Sequence, residues 1–124
     1  MAGSKRVLVV DDDDAIRLTV ADALEDEGYQ VLMATNGREA LDQVEAGPPD
    51  AIVLDLMMPI LDGWGFLEAC RQRRLCEGIP VLVMSAYRRL AETAPDLKVR
   101  ACIAKPFELD VLLGAVERLL QHST

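Results

Sequence analysis

Four consecutive aspartates, Asp11-Asp12-Asp13-Asp14, directly follow the apolar run Val7–Val10. Asp55 closes a second run, Ala51–Leu54, while Ser85 follows Val81–Met84 and Lys105-Pro106 follows Ala101–Ala104. Carboxylates, a hydroxyl and an ammonium, each placed immediately after a short apolar segment, can bind a cation and handle a phosphoryl group. Carboxylates brought together from two segments repel each other unless something positive neutralises them. All-oxygen donors without His or Cys suit a hard ion, and Mg2+ binds through few carboxylates and several waters. Such an ion offsets charge on phosphoryl oxygens. A carboxylate beside it can itself be the nucleophile and form an aspartyl phosphate. Lys105 and the Ser85 hydroxyl would then donate hydrogen bonds to that group.

Taken singly, each residue has a plainer role. Asp13 reads as a helix N-cap and Asp14 as an acid favoured by the helix dipole, which leaves Asp11 and Asp12 for a pocket. Asp55 could simply end a strand, Ser85 could be a polar terminator, and Lys105 a solvated loop residue. Only convergence at one place lifts them above those roles, and convergence depends on the elements that carry them.

Five short apolar runs punctuate the chain: Val7–Val10, Val31–Ala34, Ala51–Leu54, Val81–Met84 and Ala101–Ala104. Near-continuous apolar runs of this length read as strands buried on both faces. Between them lie segments with helical period. Ile16, Val20, Ala23 and Leu24 share one face, with Gly28 as the stop. Asn36 caps a second helix striped by Ala40, Leu41 and Val44, ended by Gly47-Pro48-Pro49. A third begins near Trp64 and turns Phe66, Leu67 and Cys70 inward; the last runs from about Glu108, with Leu109, Leu112, Leu113, Val116 and Leu120 buried. Pro95 limits the segment between Met84 and Ala101 to a short or irregular fourth helix. The alternation predicts one α/β domain over 1–124, core about 5–120, with a doubly wound, five-stranded parallel sheet and five helices. In such sheets the site lies outside the carboxyl ends of the strands, where the acids, the serine and the lysine fall.

Composition narrows the function. The chain has 124 residues, 51% of them hydrophobic, enough for one core. Its formal charge of −8 repels phosphate backbones and anionic lipid, so neither nucleic acid nor membrane is an expected partner. No run approaches the ~20 apolar residues that span a bilayer, and Met1–Arg6 is too short and polar for a secretory signal, which points to the cytoplasm. Cys70, Cys76 and Cys102 form no CxxC pair and read as buried or inert thiols. The single histidine, His122, is third from the end, which removes His-based metal sites, triads and phosphohistidine chemistry.

With these residues in place the chain resembles the receiver domain of two-component response regulators, the CheY-like family, over about Lys5 to Leu120. Val9-Val10-Asp11-Asp12-Asp13 matches the acidic-pocket motif, and Asp55-Leu56-Met57-Met58-Pro59-Ile60-Leu61-Asp62-Gly63 the DxxMPxxDG loop. Met84-Ser85-Ala86 matches the Ser/Thr-Ala motif and Lys105-Pro106-Phe107 the KPF motif. The resemblance implies a flavodoxin-like sheet of order 2-1-3-4-5. It implies Asp55 as phosphoacceptor from a sensor histidine kinase or phosphotransfer protein. Asp12 would ligate Mg2+ directly and Asp11 through water, with Asp55 and the Met57 backbone carbonyl completing the protein ligands. Ser85 would swing toward the phosphoryl group and Lys105 would pair with it, aimed by a cis Lys105–Pro106 peptide. The product would be a switched surface for a downstream protein, with homodimerisation on phosphorylation as one outcome. The chain would not be an enzyme beyond its own phosphorylation and dephosphorylation.

Two departures stand out. Receivers usually carry Tyr or Phe three residues before the lysine, where this chain has Cys102, and Tyr87 is a candidate substitute aromatic. The segment between Ser85 and Ala101 also looks shortened, which puts the fourth-helix face in question. The rival from another class is a Mg2+-dependent phosphohydrolase with an Asp nucleophile. Asp11-Asp12-Asp13 contains the DxD spacing of such enzymes but continues as Asp14-Ala15 rather than Thr or Val. A flavin-binding module is disfavoured, since four aspartates would repel its phosphate.

Overall fold

The computed structural model describes residues 5–85 and 101–121. Five strands, β1 (Arg6–Val10), β2 (Gln30–Ala34), β3 (Ala51–Asp55), β4 (Val81–Ser85) and β5 (Ala101–Ala104), form one parallel sheet ordered β2-β1-β3-β4-β5. Four helices are described: α1 (Asp14–Asp26), α2 (Gly37–Ala46), α3 (Gly63–Arg73) and α4 (Leu109–Gln121). The short helix expected between β4 and β5 lies outside the described residues. Among those residues, no helix is long and apolar enough to cross a membrane.

Alternating side chains divide the core between the two faces of the sheet. Leu8, Val10, Ile52, Leu54 and Val83 pack with Ala40, Leu41, Val44, Phe66 and Leu67 of α2 and α3. Val7, Val9, Val53, Leu82 and Met84 pack with Val20 and Leu24 of α1 and Leu112, Val116 and Leu119 of α4. The central strands β3 and β4 are buried along their whole length, as their continuous apolar runs require. β2 and β5 are not. They are the edge strands, and Met33 and Cys102 on them are exposed. Along α4 the buried stripe is Leu112, Ala115, Val116 and Leu119, with Leu109, Leu113 and Leu120 only partly buried against it.

Side-chain caps fix where the helices begin. Asp13 Oδ1 accepts the Ile16 N–H at 3.1 Å, Asn36 Oδ1 that of Glu39 at 2.9 Å, and Asp62 Oδ1 that of Gly65 at 2.8 Å. The Asp62 cap starts α3 at Gly63, one residue ahead of the sequence expectation. Gly28, with φ 95°, follows α1 as expected.

One expectation is overturned. Cys70 and Cys76 form a disulfide, with a Cα–Cα distance of 5.3 Å. Arg74 at the end of α3 takes the left-handed conformation, φ 55°, and the Leu75 N–H donates back to the Cys70 carbonyl at 3.0 Å. That reversal carries Cys76 over the last turn of the helix. Cys102, exposed on β5, is not part of that pair.

Candidate functional site

Register brings the carboxyl ends of the inner strands level. Val10 pairs with Leu54, Asp55 with Met84, and Ser85 with Ala104. Asp11, the residue after β1, is therefore beside Asp55 at the end of β3. Both are buried, at 0% and 4% exposure, whereas Asp12 is exposed. One carboxylate oxygen from each of Asp11, Asp12 and Asp55 lies within 4.8 Å of the others. Lys105 reaches in from the end of β5, with Nζ 2.8 Å from Asp11 Oδ2 and 3.4 Å from Asp55 Oδ1. Its peptide bond to Pro106 is cis, and its N–H donates to the Ser85 carbonyl at 2.8 Å. Ser85, at 1% exposure, ends the neighbouring strand. The groups singled out in the sequence at 11, 12, 55, 85 and 105 thus converge on one sheet edge.

The loop after Asp55 is held at several points. The Met57 N–H donates to Asp55 Oδ1 at 3.4 Å, and the Gly63 N–H to the Leu56 carbonyl at 3.0 Å. Leu61 donates to the Pro59 carbonyl at 2.7 Å around Ile60, whose φ is 68°, a tight turn costly for a β-branched residue. Gly37, at the start of α2, donates to the Leu61 carbonyl at 2.7 Å. A Cβ there would lie 2.6 Å from that oxygen, and a Cβ on Gly63 would lie 2.7 Å from the Asp55 carbonyl. These two positions accept only glycine without moving the loop.

Burial is the main reason the Asp55 carboxyl is pushed up to about 6, with the Asp11 charge adding to it and Lys105 working the other way. Burial also opposes the Lys105 ammonium, but the hydrogen bond and charge of Asp11, joined by Asp55, hold it above its ordinary value. Three carboxylates around one ammonium leave an excess of negative charge. That excess, and a donor set made wholly of oxygen, fit a hard divalent cation.

The remaining predicted positions are less informative. Tyr87 lies outside the described residues. Cys102 is on the exposed edge of β5, and desolvation raises its thiol above the ordinary range. Sequence reasoning missed Arg17, whose side chain is only 12% exposed. Its Nη1 donates to the Asp11 carbonyl at 3.0 Å and its Nη2 lies 2.6 Å from Asp14 Oδ1. The Asp14/Arg17 spacing of three along a helix was the available signal.

A doubly wound sheet in this order, with three carboxylates, a serine and a lysine at its carboxyl edge, defines an α/β domain of the CheY-like class. Comparison with known proteins narrows this further. The profile of the response regulator receiver domain matches residues 7–117, and the chain belongs to that family. The chain is 44% identical over 122 residues to the response regulator MprA of Mycolicibacterium vanbaalenii, covering 96% of this chain and 52% of that protein. It therefore spans about half the length of the curated relatives it matches. Among solved structures, the CheY-like receiver domain protein of Methanospirillum hungatei superposes with a TM-score of 0.89 at 28% identity, covering 98% of this chain and 97% of that one. The response regulator TrrA of Thermotoga maritima, solved in complex with Mg2+ and BeF, gives 0.83 at 31% identity, covering 94% and 99%. Receiver domains of two-component systems are signalling phosphoacceptors, and the pocket of Asp11, Asp12 and Asp55 fits such a site.

Proposed function

We propose that Asp55 is the acceptor of a phosphoryl group delivered by a sensor histidine kinase or phosphotransfer protein. The observation that carries this reading is the placement of a buried Asp55 beside two further carboxylates and within 3.4 Å of the Lys105 ammonium. A carboxylate oxygen of Asp55 attacks phosphorus, the donor's N–P bond breaks, and the imidazole nitrogen keeps the electron pair. With its carboxyl titrating near 6, Asp55 is mostly ionised and nucleophilic at neutral pH.

The cation assigned here is Mg2+, as in the Thermotoga maritima relative, and it would offset charge on the phosphoryl oxygens. Asp12 and Asp55 would bind it directly and Asp11 through water, with the Met57 carbonyl as the remaining protein ligand. Lys105 already bridges Asp11 and Asp55 and is placed to pair with a new phosphoryl oxygen. The Ser85 hydroxyl, on the adjoining strand end, would donate a second hydrogen bond. Moving Ser85 and Lys105 toward the phosphoryl group would disturb the β4–β5 edge, where Cys102 lies, and so alter a surface read by a downstream protein.

A groove of about 480 Å3 opens beside Lys105, lined by Ile16, Thr19, Pro106, Phe107 and Leu109 among others. Its apolar lining suits the contact surface of a protein donor. Phosphotransfer tests the reading. Purified histidine kinases, autophosphorylated with labelled ATP, should pass label to this chain in a Mg2+-dependent reaction that chelator stops. Steady turnover of a small phosphate ester, without a stable phosphorylated chain, would point to a phosphohydrolase instead.

A further inference from the structure

We propose that Arg17 is a positioning residue for the cation site, acting by fixing the peptide that orients Asp12. The proposal rests on the metal reading given above for Asp11, Asp12 and Asp55. Asp12 is the exposed member of that trio, so packing does little to aim it. Its neighbours are pinned instead. The Asp11 N–H donates to the Ala34 carbonyl at 3.1 Å, and its carboxylate accepts from the Asp13 N–H at 2.9 Å and from Lys105 at 2.8 Å. Asp13 in turn caps α1 through Ile16.

Between these anchors lies the Asp11–Asp12 peptide. Its carbonyl accepts the 3.0 Å hydrogen bond from Arg17 Nη1. Because the peptide unit is planar, holding that carbonyl fixes the plane that carries the Asp12 nitrogen. With Asp13 pinned on the far side, little freedom is left to φ of Asp12 or to the direction of its Cα–Cβ bond. The guanidinium is itself held. Its other arm grips Asp14 at 2.6 Å, and its charge reaches Glu39, helping to hold that carboxyl below its ordinary value after the stronger effect of hydrogen bonds from Thr35. Thr35 donates to Glu39 Oε1 through both its N–H and its hydroxyl, at 2.7 and 2.8 Å. Arg17 thus joins the end of β1 to the first turn of α1, next to the loop that leads into α2. A planar fork with several donors can do this, whereas a lysine ammonium cannot span both partners in the same way.

Positioning and bare charge make opposite predictions for the metal. A guanidinium acting only as a positive charge near the site would repel the cation, so removing it would tighten binding. A guanidinium that aims Asp12 strengthens binding, and removing it weakens the site. Supporting partners of metal ligands typically shift affinity by about 10–100-fold.

The test is titration with Mn2+ alone, following the free-ion electron paramagnetic resonance signal, on the wild type, Arg17→Met, Arg17→Lys and Arg71→Met. Arg71 sits in an exposed pair with Glu68 and controls for loss of one surface charge. Thermal unfolding establishes that each protein is folded, and the Asp12 amide resonance reports the peptide directly. We expect Arg17→Met to weaken Mn2+ binding about tenfold, Arg17→Lys to fall between it and the wild type, and Arg71→Met to bind as the wild type does. The Asp12 amide should shift in both Arg17 variants. Unchanged or tighter binding in a folded Arg17→Met overturns the proposal. If that variant does not fold, wild-type affinity in Arg17→Lys overturns it equally. A wild type that takes up no Mn2+ refutes the metal reading itself, a different failure from variants that match a wild type that binds.

Discussion

Asp55 is held in the fold at an energetic disadvantage that its replacement should expose. Its carboxyl is pushed from an ordinary 3.8 up to about 6, mainly by burial and then by Asp11, with no cation bound. A shift of that size corresponds to roughly 3 kcal/mol of stability withheld from the metal-free protein at neutral pH. The sign follows from proton binding. Between about pH 4 and pH 6 the folded state keeps a proton that the unfolded chain has released, so metal-free stability falls as pH rises through that window. Asp55→Asn keeps the shape and removes the charge. Part of the gain is offset, because the hydrogen bond and ion pair with Lys105 also weaken. In chelator at pH 7.5 the variant should therefore be more stable than wild type by about 1–3 kcal/mol, read from urea denaturation midpoints. The gap should close near pH 4, where the wild-type carboxyl is protonated. Millimolar Mg2+ should narrow it at pH 7.5 by stabilising the wild type more than the variant. A variant less stable than wild type at pH 7.5 in chelator, or a gap that ignores pH, would refute this reasoning.

Other substitutions probe the supports of the site. Gly63→Ala places a Cβ 2.7 Å from the Asp55 carbonyl, so we expect a loss of about 1–3 kcal/mol by denaturation together with slower phosphorylation. Lys105→Met strips the ammonium from Asp11 and Asp55. The Asp55 carboxyl should then titrate above its wild-type value of about 6 by carboxyl-carbon NMR, and an unmoved titration would argue against the ion pair. Asp62→Ala removes the α3 cap and should destabilise by about 1 kcal/mol in thermal unfolding. Phe66→Ala, at a fully buried position, should lose about 3–5 kcal/mol, and a loss near zero would mean the α3 face is not packed as described.

The inner sheet was legible in the residues because β1, β3 and β4 contain the unbroken apolar runs Val7–Val10, Ala51–Leu54 and Val81–Met84, buried on both sides. The site was legible for a related reason. In a parallel sheet every strand ends at the same edge, so the residue after each run can be read as a site candidate before any contact is known. Asp13 and Asn36 were readable as caps because capping depends on chemistry a few residues away. Long-range matters were not. Whether β2 and β5 are edges depends on strand order, which no single run encodes and which only the family resemblance supplied, correctly. The pairing of Cys70 with Cys76 depends on the left-handed turn at Arg74, a conformation that an arginine does not announce. The brace from Gly37 to Leu61 joins two loops far apart in the chain, and Arg17 gains its meaning only once the Asp11 carbonyl is seen to face it.

The central claim is that the carboxylate of Asp55 becomes an acyl phosphate. Incubating the chain with acetyl phosphate and Mg2+, reducing the product with borohydride and sequencing its peptides tests this at the level of the atom, since reduction of an aspartyl phosphate leaves homoserine. Homoserine should be found at position 55, only when Mg2+ and acetyl phosphate are both present, and Asp55→Asn should yield none. Homoserine at Asp11 or Asp12 instead, or a phosphorylated product that persists in Asp55→Asn, would contradict the claim.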